Sequence, residues 1–159
     1  MNAELSNIAE PEETIESTLV ALLADAVDIH VEGVLAPAED GEVKRLSADT
    51  VMTVAVDQTS QDGDYRGPRV PHTYSARVAV HYAIADDANG SDFRDTCRVV
   101  RGVLSTLTGD GCGSVSSSSF ACDAFVLDSS TTTFEGGDNP VNTKTYTATL
   151  KGRVITTEA

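Results

Sequence analysis

The chain contains no tryptophan and only 5% aromatic residues, which argues against a surface that stacks bases or sugars. Cations are scarce: 11 Lys and Arg stand against 25 Asp and Glu, a formal net charge of -14. Such a surface repels polyphosphate and anionic membranes, so binding to the outside of DNA or RNA is not expected. Solubility alone accounts for this charge as well as a functional acidic surface does. The three cysteines are odd in number and none falls in a CxxC pair, so no zinc site is signalled. Long hydrophobic runs are missing too. The longest, residues 19–27, contains Asp25, and no transmembrane helix is expected. The opening Met1-Asn2-Ala3-Glu4 lacks the basic stretch of a signal peptide.

What is present suffices for one core. The hydrophobic fraction is 40% over 159 residues, which fits a single domain. We read residues 1–10 as a mobile, polar N-terminus and residues 11–157 as that domain. Its clearest unit is a strand, an acidic turn and a helix. Tyr74, Ala76, Val78, Val80, Tyr82 and Ile84 alternate with smaller or polar residues, the period of a strand with one buried face. Asp86-Asp87-Ala88-Asn89-Gly90 breaks the chain, and Ser91 is the expected N-cap of a helix with Asp92 and Asp95 in its first turn. Phe93, Cys97, Val100, Leu104 and Leu107 fall on one helical face, and Gly109 supplies the stop. Cys97 is then a small core residue. Cys112 and Cys122 are compatible both with pairing and with a reduced intracellular state. Asn89-Gly90-Ser91 matches a glycosylation sequon but is better read as turn and cap.

Taken in order, Pro11 with Glu12 and Glu13 marks a helix start, and Ile15, Leu19, Leu22, Leu23 and Ala26 form its apolar stripe. A short strand is expected at 30–35 and a longer one at 50–58, with Met52, Val54 and Val56 on one face. Residues 59–72 read as a fourteen-residue loop closing a long hairpin, of the length that tends to carry function. Residues 108–119 are rich in Gly and Ser and are expected to be flexible. Residues 120–128 form a strand apolar on both faces, the mark of a central or interfacial strand. Residues 129–142 read as a second long connection. Residues 143–157 close the chain as a strand with Tyr146, Ala148, Leu150 and Val154 on one face. The order α-β-β-β-α-β-β implies an α+β fold, two helices packed on a mainly antiparallel sheet with long hairpin loops.

Catalytic signatures are not evident. His30, His72 and His81 are the only histidines, and none has a His or Cys neighbour at metal-ligand spacing. Asp62-Gly63-Asp64-Tyr65-Arg66-Gly67 starts like a calcium loop, but Arg66 stands at the third ligand position and Thr73 where the bidentate Glu belongs. The glycines at 109, 111 and 113 follow a helix, whereas phosphate cradles precede one. No Gly-x-Ser-x-Gly is present. The pair Asp86/Asp87 reads as solvated charge in a turn. We therefore expect no enzyme activity, no cofactor and no metal.

The layout resembles the tail-terminator or tail-completion proteins of long-tailed bacteriophages. The likeness rests on the leading helix over 12–23, on Val78-Ala79-Val80-His81-Tyr82-Ala83-Ile84 with the helix over 93–107, and on Lys144-Thr145-Tyr146-Thr147-Ala148-Thr149-Leu150. It contains no diagnostic motif. The resemblance implies a non-enzymatic virion protein, a subunit of a homo-oligomeric, usually hexameric ring that caps the tail tube and joins it to the head connector. Tail-tube and head-connector proteins would be its partners, DNA would only pass through an acidic lumen, and no membrane is involved. The candidate contact residues come from the two long connections: Asp62, Asp64, Tyr65, Arg66, Arg69 and His72 in the first, Phe134, Glu135 and Asp138 in the second. The edge of a closing strand over 143–157 is a further candidate for pairing with a neighbour. The rival expectations are a neck, head-completion or tail-tube subunit, and, from another class, a small-ligand module or enzyme with a pocket lined by Tyr74, Tyr82, Tyr146 or the histidines. An acidic mimic of DNA ranks last, because the acids concentrate in turns.

Overall fold

A proline at the first helical position costs no hydrogen bond, and acids behind it complement the helix dipole. That is how α1 (Pro11–Ala26) begins, with Glu12 and Glu13 in its first turn. A computed structural model of the protein describes residues 11–33, 50–61, 69–116, 120–137 and 140–155. After α1 come β1 (Val31–Gly33), β2 (Val51–Gln61), β3 (Arg69–Ala83), α2 (Ser91–Thr106), β4 (Phe120–Glu135) and β5 (Val141–Ile155). The fold is α+β in the expected order, two helices with one five-stranded sheet. Its strands run β1-β2-β3-β5-β4. Only β1 and β2 are parallel; every other pair is antiparallel.

The core is the seam between the helices and one sheet face. Ile15, Leu19 and Leu23 of α1 and Phe93, Cys97, Val100 and Leu104 of α2 meet Met52, Val54, Val56, Tyr74, Ala76, Val78, Val80, Tyr146, Ala148 and Leu150. Each large apolar side chain buried there stabilises the fold by about 1.5–3 kcal/mol. The reverse face is polar, with an Asp57–Arg77 ion pair at 2.7 Å and Thr149 donating to Asp128. Gly33 lies against α1, where a side chain would overlap the buried Glu16 carboxylate.

Several sequence expectations are corrected. The fourteen-residue loop is shorter, since β2 runs to Gln61, β3 starts at Arg69, and pairing reaches Gln61↔His72. Its polar residues conceal the strands, and a register shift between Gln58 and Ser60 breaks the alternation. Pro71 lies past the last described β2 pair, Gln61↔His72, and is matched with Arg153 of β5. Within the Gly/Ser stretch after α2, Gly109–Val115 is a 3-10 helix with Cys112 and Val115 buried. These two are three residues apart, which stacks them on one face of such a helix.

The second long connection is mostly strand as well, because β4 continues through the β-favouring threonines to Glu135 and β5 begins at Val141. The closing strand is not an edge, and β4 is not central. β5 is internal, between β3 and β4, and β4 is the edge. The apolar residues on both faces of β4 arise from a register shift between Cys122 and Ala124, which lets Cys122 and Phe125 both face the core.

The acidic turn is corrected too. Asp87 is buried rather than solvated, and Gly90, not Ser91, is the N-cap of α2, with φ of 73°. The Asp87 carboxylate reaches the first-turn amides from outside the helix, accepting from Asp92 N at 3.1 Å and Phe93 N at 2.8 Å. Its charge is buried where the dipole and the unpaired N–H groups favour an anion.

Candidate functional site

Two surfaces stand out, the edge of β4 and the two flanks of α2. Along β4, residues 128–137 are all exposed. Ser129-Ser130-Thr131-Thr132-Thr133-Phe134 carries no charge, proline or lysine, the devices that normally protect an edge. Phe134 is 63% exposed and Val126 52%. One side of β4 pairs with β5 down to Glu135↔Val141, and no strand among the described residues pairs with the other. Its backbone groups there face outward.

The flanks of α2 follow from helical spacing. The apolar stripe points at the sheet, so Arg94, Arg98 and Arg101, four and three residues apart, share one side. With Lys144 of β5 they line a groove of about 350 Å³ whose other walls include Thr132 and Tyr146. Four of the chain's eleven cations therefore gather in one place. Lys144 Nζ lies 5.4 Å from the centre of the Tyr146 ring, within cation–π range. The Tyr146 hydroxyl donates to the Cys97 carbonyl at 2.9 Å, and burial first of all pushes it up to about 12. Burial also raises the Cys97 thiol, so this wall offers no thiolate at neutral pH.

On the other side of α2, Asp92, Asp95, Thr96 and Val99 face the end of α1, and with Asp28 and Tyr82 they line a groove of about 380 Å³. Tyr82 shares a hydrogen bond with Thr96 at 2.9 Å. Burial and then the charges of Asp92, Asp87 and Asp28 raise its pKa, against the pull of that bond. Val99 is 40% exposed. One flank of the helix is thus cationic and the other anionic with an apolar centre.

The expected contact residues are distributed as follows. Asp62, Asp64, Tyr65, Arg66 and Asp138 lie outside the described residues. Arg69 opens β3 and is a strand rather than a loop residue. His72, also in β3, is half-buried with Nδ1 3.0 Å from the Tyr74 hydroxyl, and burial lowers its pKa. Phe134 and Glu135 belong to the open half of β4. The three tyrosines of the rival ligand pocket do not share a cavity: Tyr74 packs edge-on against Phe120 inside the core, and Tyr82 and Tyr146 line opposite flanks of α2. The cationic flank was missed by sequence reasoning. Its signal was present in the spacing of 94, 98 and 101, but the placing of Lys144 beside them is tertiary.

No group of three His, Cys, Asp or Glu among the described residues is arranged to hold a metal ion. No helix among them is long and apolar enough to cross a membrane. Compared with known proteins, the chain matches no family model and no curated protein.

Proposed function

We propose that this chain is a structural, non-enzymatic subunit that assembles with copies of itself and with partner proteins, in the role of a tail terminator of a long-tailed phage or tail-like particle. The observation that carries the reading is the open edge of β4, an uncharged run from Ser129 to Phe134 with its outer backbone groups unpaired by any described strand. Such an edge accepts a strand from another chain, and its main-chain hydrogen bonds supply affinity without a side-chain motif. The order α-β-β-β-α-β-β and the net charge of -14 agree with the ring role. A wall of that sign would let DNA pass without holding it.

Negative-stain electron microscopy and light-scattering mass on concentrated protein, alone and beside tail tubes, test this. Rings or stacked tubes with an open lumen are expected. Thr131→Lys with Phe134→Lys should leave the circular dichroism spectrum unchanged and abolish assembly, because edge lysines block strand addition. A compact monomer that never assembles, even beside tubes, would overturn the reading.

A further inference from the structure

We infer that α2 is a two-sided connector, its cationic flank docking on the anionic flank of a second copy of this chain. The inference rests on the self-assembly proposed above and adds to the β4 edge a second pair of surfaces that assembly requires. Opposite charges are separated on one helix: Arg94, Arg98 and Arg101 with Lys144 on one side, Asp92 and Asp95 with Asp28 on the other. The two grooves are similar in size, about 350 and 380 Å³. Each flank has an apolar centre under its charges, Tyr146 in one and the exposed Val99 in the other.

In a chain of net charge -14, copies repel one another at most relative orientations. Gathering four of eleven cations in one groove creates a surface that such a chain attracts. The attraction is selective, because the matching acids must be placed around an apolar centre, and the opposite flank of α2 meets that condition. One bond already engages these groups, the Arg98–Asp95 pair at 2.8 Å, with both side chains mostly exposed. Exposed pairs of that kind are worth under about 1 kcal/mol, so exchanging it for a contact across an interface is not opposed. Arg101 forms no ion pair among the described residues, which leaves it available to a neighbour. Because the two flanks differ, the contact is head-to-tail. Each copy gives one surface and receives with the other, which propagates into a ring or a filament rather than stopping at a dimer.

Sedimentation velocity on the full chain tests this with two charge reversals, Arg98→Glu with Arg101→Glu and Asp28→Lys with Asp95→Lys, each checked for native circular dichroism. Wild-type self-association should weaken at least about tenfold between about 50 mM and 500 mM salt, as screening of the charged flanks requires. Each variant alone should stay monomeric. Mixed in equal amounts they should associate again, since every contact between the two variants then sets an acidic flank against a basic one. Variants that associate as wild type, an association indifferent to salt, or a mixture that stays monomeric would each overturn the inference. Those results leave the β4 edge and the proposed function standing. Wild-type protein that stays monomeric at low salt also overturns the inference, while the fate of the functional reading is decided separately beside tail tubes.

Discussion

The carboxylate of Asp87 accepts the backbone N–H of Phe93 at 2.8 Å, joining the turn after β3 to the start of the helix that carries both charged flanks. Its other oxygen takes Asp92 N. Asp87→Ala should destabilise the protein by about 1–2 kcal/mol, the cost of losing a helix cap. The urea midpoint should fall with an unchanged m-value. A neutral outcome would mean that water satisfies the first turn of α2 equally well.

Gly152 is a position where the sheet admits no side chain. A Cβ there would overlap the Ala121 carbonyl of β4 and the ring of Phe120. We expect Gly152→Ala to cost about 1–3 kcal/mol through overpacking, whereas Gly113→Ala, facing open space, should change stability by less than about 0.5 kcal/mol. Equal effects at the two positions would refute the packing argument.

His81 gives stability a pH dependence. Its Nδ1 lies 3.0 Å from Thr143 Oγ1 across the β3–β5 ladder. Burial lowers its pKa, partly opposed by the charge of Glu135. An unfolded chain takes up a proton near about pH 6.5 while the folded chain resists it, so this contribution is intact above that pH and is lost as pH falls below it. His72, also lowered by burial, acts in the same direction. Denaturation of His81→Gln should show a smaller loss of stability than wild type between about pH 7.5 and pH 5. Parallel curves would exclude His81 as a source.

All three thiols are buried and free. Burial, with Cys112 beside it, pushes Cys122 up to about 12, and Cys112 Sγ donates to the Cys122 carbonyl at 3.6 Å. Native protein at about pH 8 should therefore react with a thiol reagent only as fast as it opens, while denatured protein should react promptly at three sites per chain. A stoichiometric fast reaction in the native state would show an accessible thiolate.

Elements with a strong period were legible in the sequence. The alternation from Tyr74 to Tyr82 and the stripe of α2 place their buried residues correctly, because one-sided burial imposes those periods. Ile84, expected to continue the strand, lies instead in a 3-10 turn, and the buried neighbour is Ala83. Where polar residues occupy strands, as in Ser129–Thr133 of β4, composition suggested loop and pairing with β5 decided otherwise. The shift near Asp123 is invisible without the partner strand, and it made β4 read as central when it is an edge. Asp87 looked like surface charge because its helix amides are supplied only when the turn closes. Of the candidate contact residues, Phe134 and Glu135 were expected in a loop and lie instead in β4.

The pairing of β3 with β5 has a consequence for how the chain reaches this state. Fifteen registers join strands far apart in sequence, from Arg69↔Ile155 to Ala83↔Val141. Closing so distant a pair must precede the contacts that reward it, which places folding toward the slow end for a small domain. During synthesis, the helices and the first three strands leave the ribosome before β5, the strand that bridges β3 to β4. Until it arrives, β3 has an open side and β4 has no sheet to join. A nascent chain halted before Val141 should remain protease-sensitive throughout, and resistance should appear in one step once β5 emerges.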